Sequence, residues 1–247
     1  MEAFGTALFA IDPSSASNSP PNDPTAMLNK IHPKRPDWYE ELYALVTETC
    51  MKPYEAEIAG YKLQLFANLS GKANRILELG IGTGPNLKYY ANEPGVQVFG
   101  VDPNMKMEKY ARAAAEGAGL PQTNFTFKQA VAEALPLGDA SVDAIVGTLV
   151  LCSVKDVELT LQEIMRVLKP GGMYVFVEHV AAEDGTIRRF VQGILDPLQQ
   201  IVADGCHLTR KTGNVIAEAG FSTVELHQAF LSTASIVNPH VYGIAHK

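Results

Sequence analysis

The feature that most constrains this chain is a run of glycines. Residues 75–79, Arg-Ile-Leu-Glu-Leu, read as a short apolar strand, and Gly80-Ile81-Gly82-Thr83-Gly84 follows before helical spacing sets in near Asn86–Ala91. Three glycines at alternate positions let the backbone turn tightly and approach a ligand that a Cβ would hold off. A plain strand-to-helix turn needs only one. A dinucleotide fingerprint would need its third glycine at position 85, which is Pro85, so diphosphate binding is disfavoured. Glu78 also sets a carboxylate where a diphosphate would be repelled and an ammonium group would be welcome.

The turn fixes the fold class, because it belongs in an α/β protein with a parallel sheet. From Gly71 onward, short apolar runs alternate with longer helical patterns. The runs are Arg75–Leu79, Val96–Val101, Asn124–Lys128, Val142–Thr148 and Met173–Val180, with helical stretches near Asn86–Ala91, Asn104–Gly117 and Lys155–Leu168. Two more runs, Ser222–Gln228 and Val237–Ala245, leave no room for a helix between them. They predict an antiparallel hairpin at the sheet edge. Before the sheet, Asp37 is the expected N-cap of a helix carrying Trp38, Leu42, Leu45 and Val46 on one face. Pro53 breaks it, and Tyr54, Ile58, Tyr61, Leu65 and Leu69 mark a second helix. The chain thus reads as a tail over residues 1–35 and one domain over 36–247, divided into a helical lid (36–70) and a ligand-binding core (71–247).

Composition narrows the partners. The 247 residues carry 20 Lys plus Arg against 27 Asp plus Glu, a net charge of −7, the wrong sign for a nucleic-acid or anionic-membrane binder. The longest mostly apolar run, Ala144–Val154, is too short to cross a bilayer. Residues 12–24 are mostly Ser, Pro, Asn and Asp, which predicts a disordered or extended tail. Met1–Ala10 lacks the basic start and continuous apolar stretch of a secretory signal. Either no address is present or a targeting segment has been removed. Cys50, Cys152 and Cys206 are far apart, odd in number and form no C-x-x-C pair, which fits reduced thiols and argues against a metal site.

The second apolar run ends in Asp102, twenty-two positions after Gly80. An acid at that place in a doubly wound sheet accepts hydrogen bonds from ribose hydroxyls, although Asp-Pro-Asn is also good helix-capping chemistry. Glycine turn and acid together describe a pocket for an adenosine with a phosphate-free, amino-acid-like tail. S-adenosylmethionine has that shape. At this point residues 54–247 resemble the class I S-adenosylmethionine-dependent methyltransferases. The resemblance rests on the Glu78–Gly84 segment, Asp102, Ala132-Glu133-Ala134-Leu135-Pro136, Asp139-Ala140-Ser141-Val142-Asp143 and Arg166-Val167-Leu168-Lys169-Pro170-Gly171-Gly172. It implies a seven-stranded Rossmann-like sheet of order 3-2-1-4-5-7-6, strand 7 antiparallel, with helices on both faces and N-terminal lid helices. It also implies S-adenosylmethionine as cofactor and S-adenosylhomocysteine as product. In the same terms Gly80 and Gly82 contact the cofactor backbone, Glu78 its amino group, and Asp102 its ribose. Asn86, Pro103 and Asn104 lie along the cofactor cleft, Ala132 and Glu133 flank adenine, and Thr148 and Leu149 face the methionine part.

A narrower resemblance is to the methyltransferase-like protein 7 family, which contains thiol S-methyltransferases acting on small alkyl thiols. It rests on Thr148–Lys155, Glu178–Glu183, Leu195-Asp196-Pro197, Asp204–Arg210 and Pro239–Gly243. Arg35–Tyr43 looks like the plant branch of that family, often plastid-targeted, and animal members carry an N-terminal hydrophobic anchor not found in this sequence. The expectation is therefore a soluble protein, plastid or cytoplasmic, that methylates a small-molecule acceptor, a thiol first. An oxygen, nitrogen or ring-carbon acceptor, or cofactor binding without turnover, stays open as an alternative.

Methyl transfer from a sulfonium needs positioning more than a base, yet a thiol reacts as its thiolate, so a group that favours deprotonation is expected. His179, at the end of the fifth strand, and Asp196 are the catalytic candidates. Asp204 and His207 are weaker ones. A buried, satisfied histidine and an Asp-Pro helix break are the competing structural readings. Trp38, Tyr39, Tyr43 and Tyr54 are candidates for an aromatic lid over the sulfonium, or for packing against the sheet.

Overall fold

The computed structural model describes residues 23–32, 34–234 and 236–247. The expectations for residues 1–22 lie outside it. Its sheet consists of β1 (Arg75–Leu79), β2 (Gln97–Asp102), β3 (Phe125–Gln129), β4 (Val142–Thr148), β5 (Leu168–His179), β6 (Thr223–Ala229) and β7 (His240–His246). Their order is β3-β2-β1-β4-β5-β7-β6. The first five strands pair in parallel, and β7 runs antiparallel between β5 and β6. Alternation along the strands divides the interior into two cores. Ile76, Val98, Val146, Val175 and Val177 pack on one face of the sheet, and Leu77, Leu79, Ile145, Tyr174 and Phe176 on the other. Each such side chain contributes about 1.5–3 kcal/mol by leaving water. The strand order reverses beside β1, the switch point where open α/β sheets bind ligands.

Seven α-helices occur among the described residues: α1 (Pro24–Ile31), α2 (Asp37–Cys50), α3 (Lys52–Phe66), α4 (Glu108–Gly117), α5 (Val157–Val167), α6 (Ile187–Val202) and α7 (Thr212–Glu218). Several expectations need correction. Residues 24–31, read from composition as tail, form α1, with Asp23 accepting from the Thr25 amide and Pro24 at its start. The N-cap of α2 is Pro36, with Asp37 already inside the first turn. Between β1 and β2 there is a single 3-10 turn, Leu87–Tyr89, where a helix was expected. Short bonds such as Tyr89 N–H to Asn86 C=O hold it, and Leu87 and Tyr90 are buried against the core. Lys169-Pro170-Gly171-Gly172 bulges within β5: Leu168 pairs with Val142 and Met173 with Ala144. Helix α6 runs through Pro197, so Asp-Pro does not break it.

Residues 36–70 do not share one environment. Helix α3 buries Tyr54, Ile58, Leu65 and Phe66 and belongs to the core. Helix α2 buries only Ala44, and its stripe of Trp38, Leu42, Leu45 and Val46 faces outward, because the helix stands over a cavity rather than on the sheet. Helix α6 likewise exposes Ile187, Phe190, Ile194, Leu198 and Ile201. No helix among the described residues is long and apolar enough to cross a membrane.

Candidate active site

A cavity of about 620 Å³ opens at the carboxyl ends of β1, β2 and β4, under α1 and α2, within the usual size of small-molecule sites. Its floor is the glycine turn. Gly80 and Gly82 have φ of +53° and +52°, left-handed values that favour glycine. A Cβ on Gly82 would meet no atom closer than the Gly80 carbonyl at 3.8 Å. The backbone there is bare toward open space, as close approach of a ligand requires.

Asp102 forms the next wall. One carboxylate oxygen accepts the Gly82 amide at 3.0 Å and the other the Asn104 amide at 2.9 Å. Burial raises its pKa to about 6, against the pull of those two amides. Pro103, Ala132, Glu133, Thr148 and Leu149 line the same cavity. Leu149 holds φ of +57°, unusual for a branched side chain and typical of constrained functional loops. Glu133 accepts the Lys155 amide at 2.6 Å, so one of its oxygens already braces the loop before α5.

Three of the expected cofactor residues do not reach the cavity. Glu78 is buried beneath it, accepting from Asn86 Nδ2 at 2.7 Å and from the Tyr90 hydroxyl. Burial pushes its pKa up to about 7, although Tyr90 and Asn86 oppose the shift. Asn86 bridges Glu78 to the Thr148 hydroxyl, 2.9 Å away. The Asn104 side chain turns toward the lid and donates to the Glu40 carbonyl at 3.0 Å.

The two catalytic candidates lie outside the cavity lining as well. Asp196 accepts from the Leu208 amide at 2.6 Å and from Gln200 Nε2 at 2.7 Å, and His207 stands 3.4 Å away. Burial works against its carboxylate, but these partners outweigh it and hold the pKa below the ordinary value. It ties α6 to the loop after it. His179 is buried with Nε2 3.0 Å from Cys206 Sγ. Burial raises the pKa of the neighbouring Glu178 to about 7, and one of its oxygens accepts the Val150 and Leu151 amides at 2.9 and 3.0 Å.

Asp204, one of the weaker candidates, does reach the cavity, but sequence reasoning missed the partners that clamp it there. Its carboxylate pairs with Arg35 at 3.0 Å and His32 at 3.4 Å. Burial disfavours the Asp204 carboxylate, yet His32 and Arg35 prevail and keep its pKa low. On the opposite side Asn104 holds α2 to the loop after β2, and the Lys109–Glu41 pair holds it to α4. Of the four aromatic lid candidates, Tyr43 lines the cavity. Burial raises its pKa, so it stays a neutral phenol. Trp38 is 68% exposed, Tyr39 donates to the Ile201 carbonyl, and Tyr54 packs near His240. The spacing from residue 32 to residue 204 explains why no local pattern announced the clamp.

A model of the methyltransferase domain family matches residues 77–176. The chain is 43% identical over 215 residues to thiol S-methyltransferase TMT1A of Homo sapiens, covering 83% of this chain and 85% of that protein. It is 39% identical over 230 residues to thiol S-methyltransferase TMT1B of Rattus norvegicus, covering 90% and 91%. A solved S-adenosylmethionine-dependent methyltransferase from Aquifex aeolicus shares the fold with a TM-score of 0.58 and 18% identity, covering 82% of this chain and 97% of that one. The two named relatives are animal proteins and lend the plant-branch expectation no support.

Proposed function

The chain belongs to the S-adenosylmethionine-dependent methyltransferases, in the family of the thiol S-methyltransferases, and on that footing we propose that it moves a methyl group onto the sulfur of a small thiol. The observation that carries this reading is the cavity itself, where the bare Gly82 backbone and the Asp102 carboxylate meet beneath α1 and α2. The lining fits the cofactor. Gly82 leaves space that a Cβ would fill, and Asp102 is an acceptor of the kind that takes both hydroxyls of a ribose. Bound S-adenosylmethionine supplies a methyl on a positively charged sulfur, a leaving group already activated.

The chain's residues then have limited work. Gly80 and Gly82 carry the backbone against the cofactor, Asp102 holds the ribose, and Ala132 and Glu133 border the adenine. Thr148 and Leu149 border the methionine part. Glu78 and Asn86 act as positioning residues, since their contacts run to Thr148 rather than into the cavity. Helices α1 and α2, pinned through Arg35 and His32 to Asp204, exclude water. Holding acceptor and methyl in line in a dry site can be worth about 7–11 kcal/mol. The acceptor must still shed its proton, because only a few per cent of a thiol with pKa ~8.5 is ionised at neutral pH.

Incubation with methyl-labelled cofactor and a panel of alkyl thiols should yield methyl thioethers, identified by mass spectrometry. Label appearing on oxygen, nitrogen or carbon acceptors alone would overturn the thiol assignment. Tight cofactor binding by calorimetry with no methylated product from any acceptor would overturn the enzymatic one.

A further inference from the structure

Behind the cavity wall, at the carboxyl ends of β4 and β5, three side chains from distant parts of the chain meet. Cys152 comes from the loop after β4, His179 from the last position of β5, and Cys206 from the turn after α6. All three are buried, and the two sulfurs and a ring nitrogen of His179 lie within 4.8 Å of one another. The His207 amide donates to the Cys152 carbonyl at 2.8 Å, which locks the two thiol-bearing loops together. Gln199 Nε2 lies 3.7 Å from Cys206 Sγ. The other ring nitrogen of His179, Nδ1, is buried with no partner among the described residues.

Packing alone does not call for this composition. A buried imidazole is normally hydrogen-bonded at both nitrogens, whereas here one meets a thiol sulfur and the other meets nothing described. Two thiols and an imidazole form the donor set of zinc and its relatives. Two thiolates also neutralise a divalent cation, which makes the loaded cluster cheap to bury compared with a lone charge. Sites with three protein ligands keep a fourth position open, whereas structural zinc sites are closed by four. The wide sequence separation of the two cysteines had argued against a metal. The fold removes that objection.

We propose that Cys152, His179 and Cys206 form a three-ligand site for a zinc-class divalent cation, and that its fourth position takes the sulfur of the acceptor thiol. The second half rests on the thiol-methylating reading given above. Tetrahedral zinc would set Nε2 and Sγ roughly 3.6 Å apart and the two sulfurs roughly 3.8 Å apart. Entry of the cation therefore asks the 3.0 Å contact of His179 with Cys206 to widen by roughly half an ångström. None of the three ligands lines the cavity, but Leu149, Val150 and Ser153 near Cys152, and Asp204 and Gly205 beside Cys206, form its wall, so the cluster lies one residue layer from the space where an acceptor would meet the methyl. Arg210 donates to the Leu151 carbonyl at 2.6 Å, which brings a positive charge to the residue next to Cys152.

The protons and electrons balance simply. Loading the cation releases one proton from each cysteine, and ligation of the acceptor releases its thiol proton to solvent. A lone pair of the acceptor sulfur then forms the new carbon–sulfur bond. The methyl's old bonding pair departs with the cofactor sulfur, which becomes a neutral thioether.

The test uses the full chain, reduced with a phosphine, stripped of metal and titrated with Co²⁺. One cobalt per chain should bind, with a thiolate-to-metal band in the near ultraviolet, tetrahedral bands in the visible and release of about two protons. Zn²⁺ should displace it. Cys50→Ser, at an exposed cysteine, should leave binding intact. Cys152→Ser and Cys206→Ser should each lose at least half the thiolate band, and His179→Ala should weaken cobalt binding tenfold or more. A methylatable alkyl thiol should shift the visible bands. No stoichiometric cobalt uptake by the unmodified protein overturns the proposal, and if methyl thioether still forms the thiol function stands. Cobalt bound but indifferent to saturating acceptor overturns the open-position assignment. Bands that respond to thiol without any thioether product support the site and count against the function instead. If the serine variants do not fold, the proton count and cobalt stoichiometry of the unmodified protein decide the question.

Discussion

Asp102→Asn separates two roles of one carboxylate, because the side chain keeps its shape and loses its charge and one acceptor. The carboxylate accepts two amides, from Gly82 at 3.0 Å and Asn104 at 2.9 Å. In the variant the new NH₂ must face one of these amides, leaving a buried donor unpaired at a cost of about 1–3 kcal/mol. A second effect has the opposite sign. Burial raises the pKa of Asp102 from 3.8 to about 6, so above pH 6 its ionised form costs the cofactor-free fold about 3 kcal/mol. A neutral amide removes that cost. The two contributions are similar in size, so melting of the cofactor-free protein should shift by only a few degrees. Binding has no such offset. Hydrogen bonds from a ribose to a charged acceptor contribute roughly 1.5–3 kcal/mol, which corresponds to a Kd for S-adenosylhomocysteine weaker by roughly 10- to 150-fold. Isothermal calorimetry with that product, paired with thermal denaturation, reads both quantities. An affinity within twofold of the unmodified protein would refute the ribose assignment.

The buried acids give a stability profile with a definite sign. Asp102, Glu78 and Glu178 have folded pKa values raised to about 6, 7 and 7, so the folded chain holds their protons more tightly than the unfolded chain does. Their stabilising contribution is complete below the unfolded values and is lost as pH rises through 6 and 7. Burial lowers the pKa of His240 to about 4 and so acts in the opposite sense, which makes a variant the clean test: with Glu78→Gln, the change in stability of the cofactor-free protein between pH 5.5 and 7.5, read by chemical denaturation, should shift upward by about 1–2 kcal/mol relative to the unmodified protein, and an unshifted difference would refute it. Gly82→Ala should weaken cofactor binding more than tenfold while costing the fold only about 1–2 kcal/mol of left-handed strain, since its Cβ meets open space. Gly84→Ala should do the reverse, destabilising the fold by at least about 2 kcal/mol, because φ is +79° and a Cβ would lie 2.8 Å from Leu87 Cδ1 and 3.0 Å from Ala114 Cβ. Calorimetry and melting rank the two variants, and the opposite ranking would defeat the argument. Arg35→Ala should raise the cofactor Kd about three- to tenfold with a loss of about 1 kcal/mol or less in stability; unchanged affinity would remove the clamp from cofactor retention.

The sheet was legible because its signals are local. Strands β1 and β4 match their apolar runs residue for residue, and the gap between the last two runs was too short for anything but a hairpin. The glycine turn was legible because φ near +50° leaves glycine little competition. Helices were less so where tertiary contacts overrode spacing. The stretch after Pro85 yields a 3-10 turn because Asn86, Leu87 and Tyr90 are drawn down onto the end of β1. Residues 24–31, assigned to the tail along with the Ser-, Pro-, Asn- and Asp-rich stretch before them, form α1, because Asp23 and Pro24 start a helix there. His32 and Arg35, which follow it, find a partner in Asp204. That pairing, like the meeting of Cys152 with Cys206, joins residues more than fifty positions apart and leaves no periodic trace.

The acids at the strand ends show where the boundary lies. Glu78 on β1, Asp102 on β2 and Glu178 on β5 each stand at or next to a strand's carboxyl end, and each is visible in the sequence as an acid closing an apolar run. Each is buried and accepts hydrogen bonds from a loop at the cavity: Glu78 from Asn86, Asp102 from the glycine turn, Glu178 from Val150 and Leu151. Only Asp102 of the three lines the cavity. Strand alternation turns Glu78 to the face of the sheet opposite Leu77 and Leu79, where Tyr90 and Asn86 enclose it. Glu178 lies beneath the loop after β4, level with the thiol cluster. One chemical device, a buried carboxylate at a strand end, is thus used three times to hold backbone loops in place, and only the register of β2 leaves one copy free to meet a ligand. The sequence pattern identifies the device, while the choice of copy depends on which way each strand end faces.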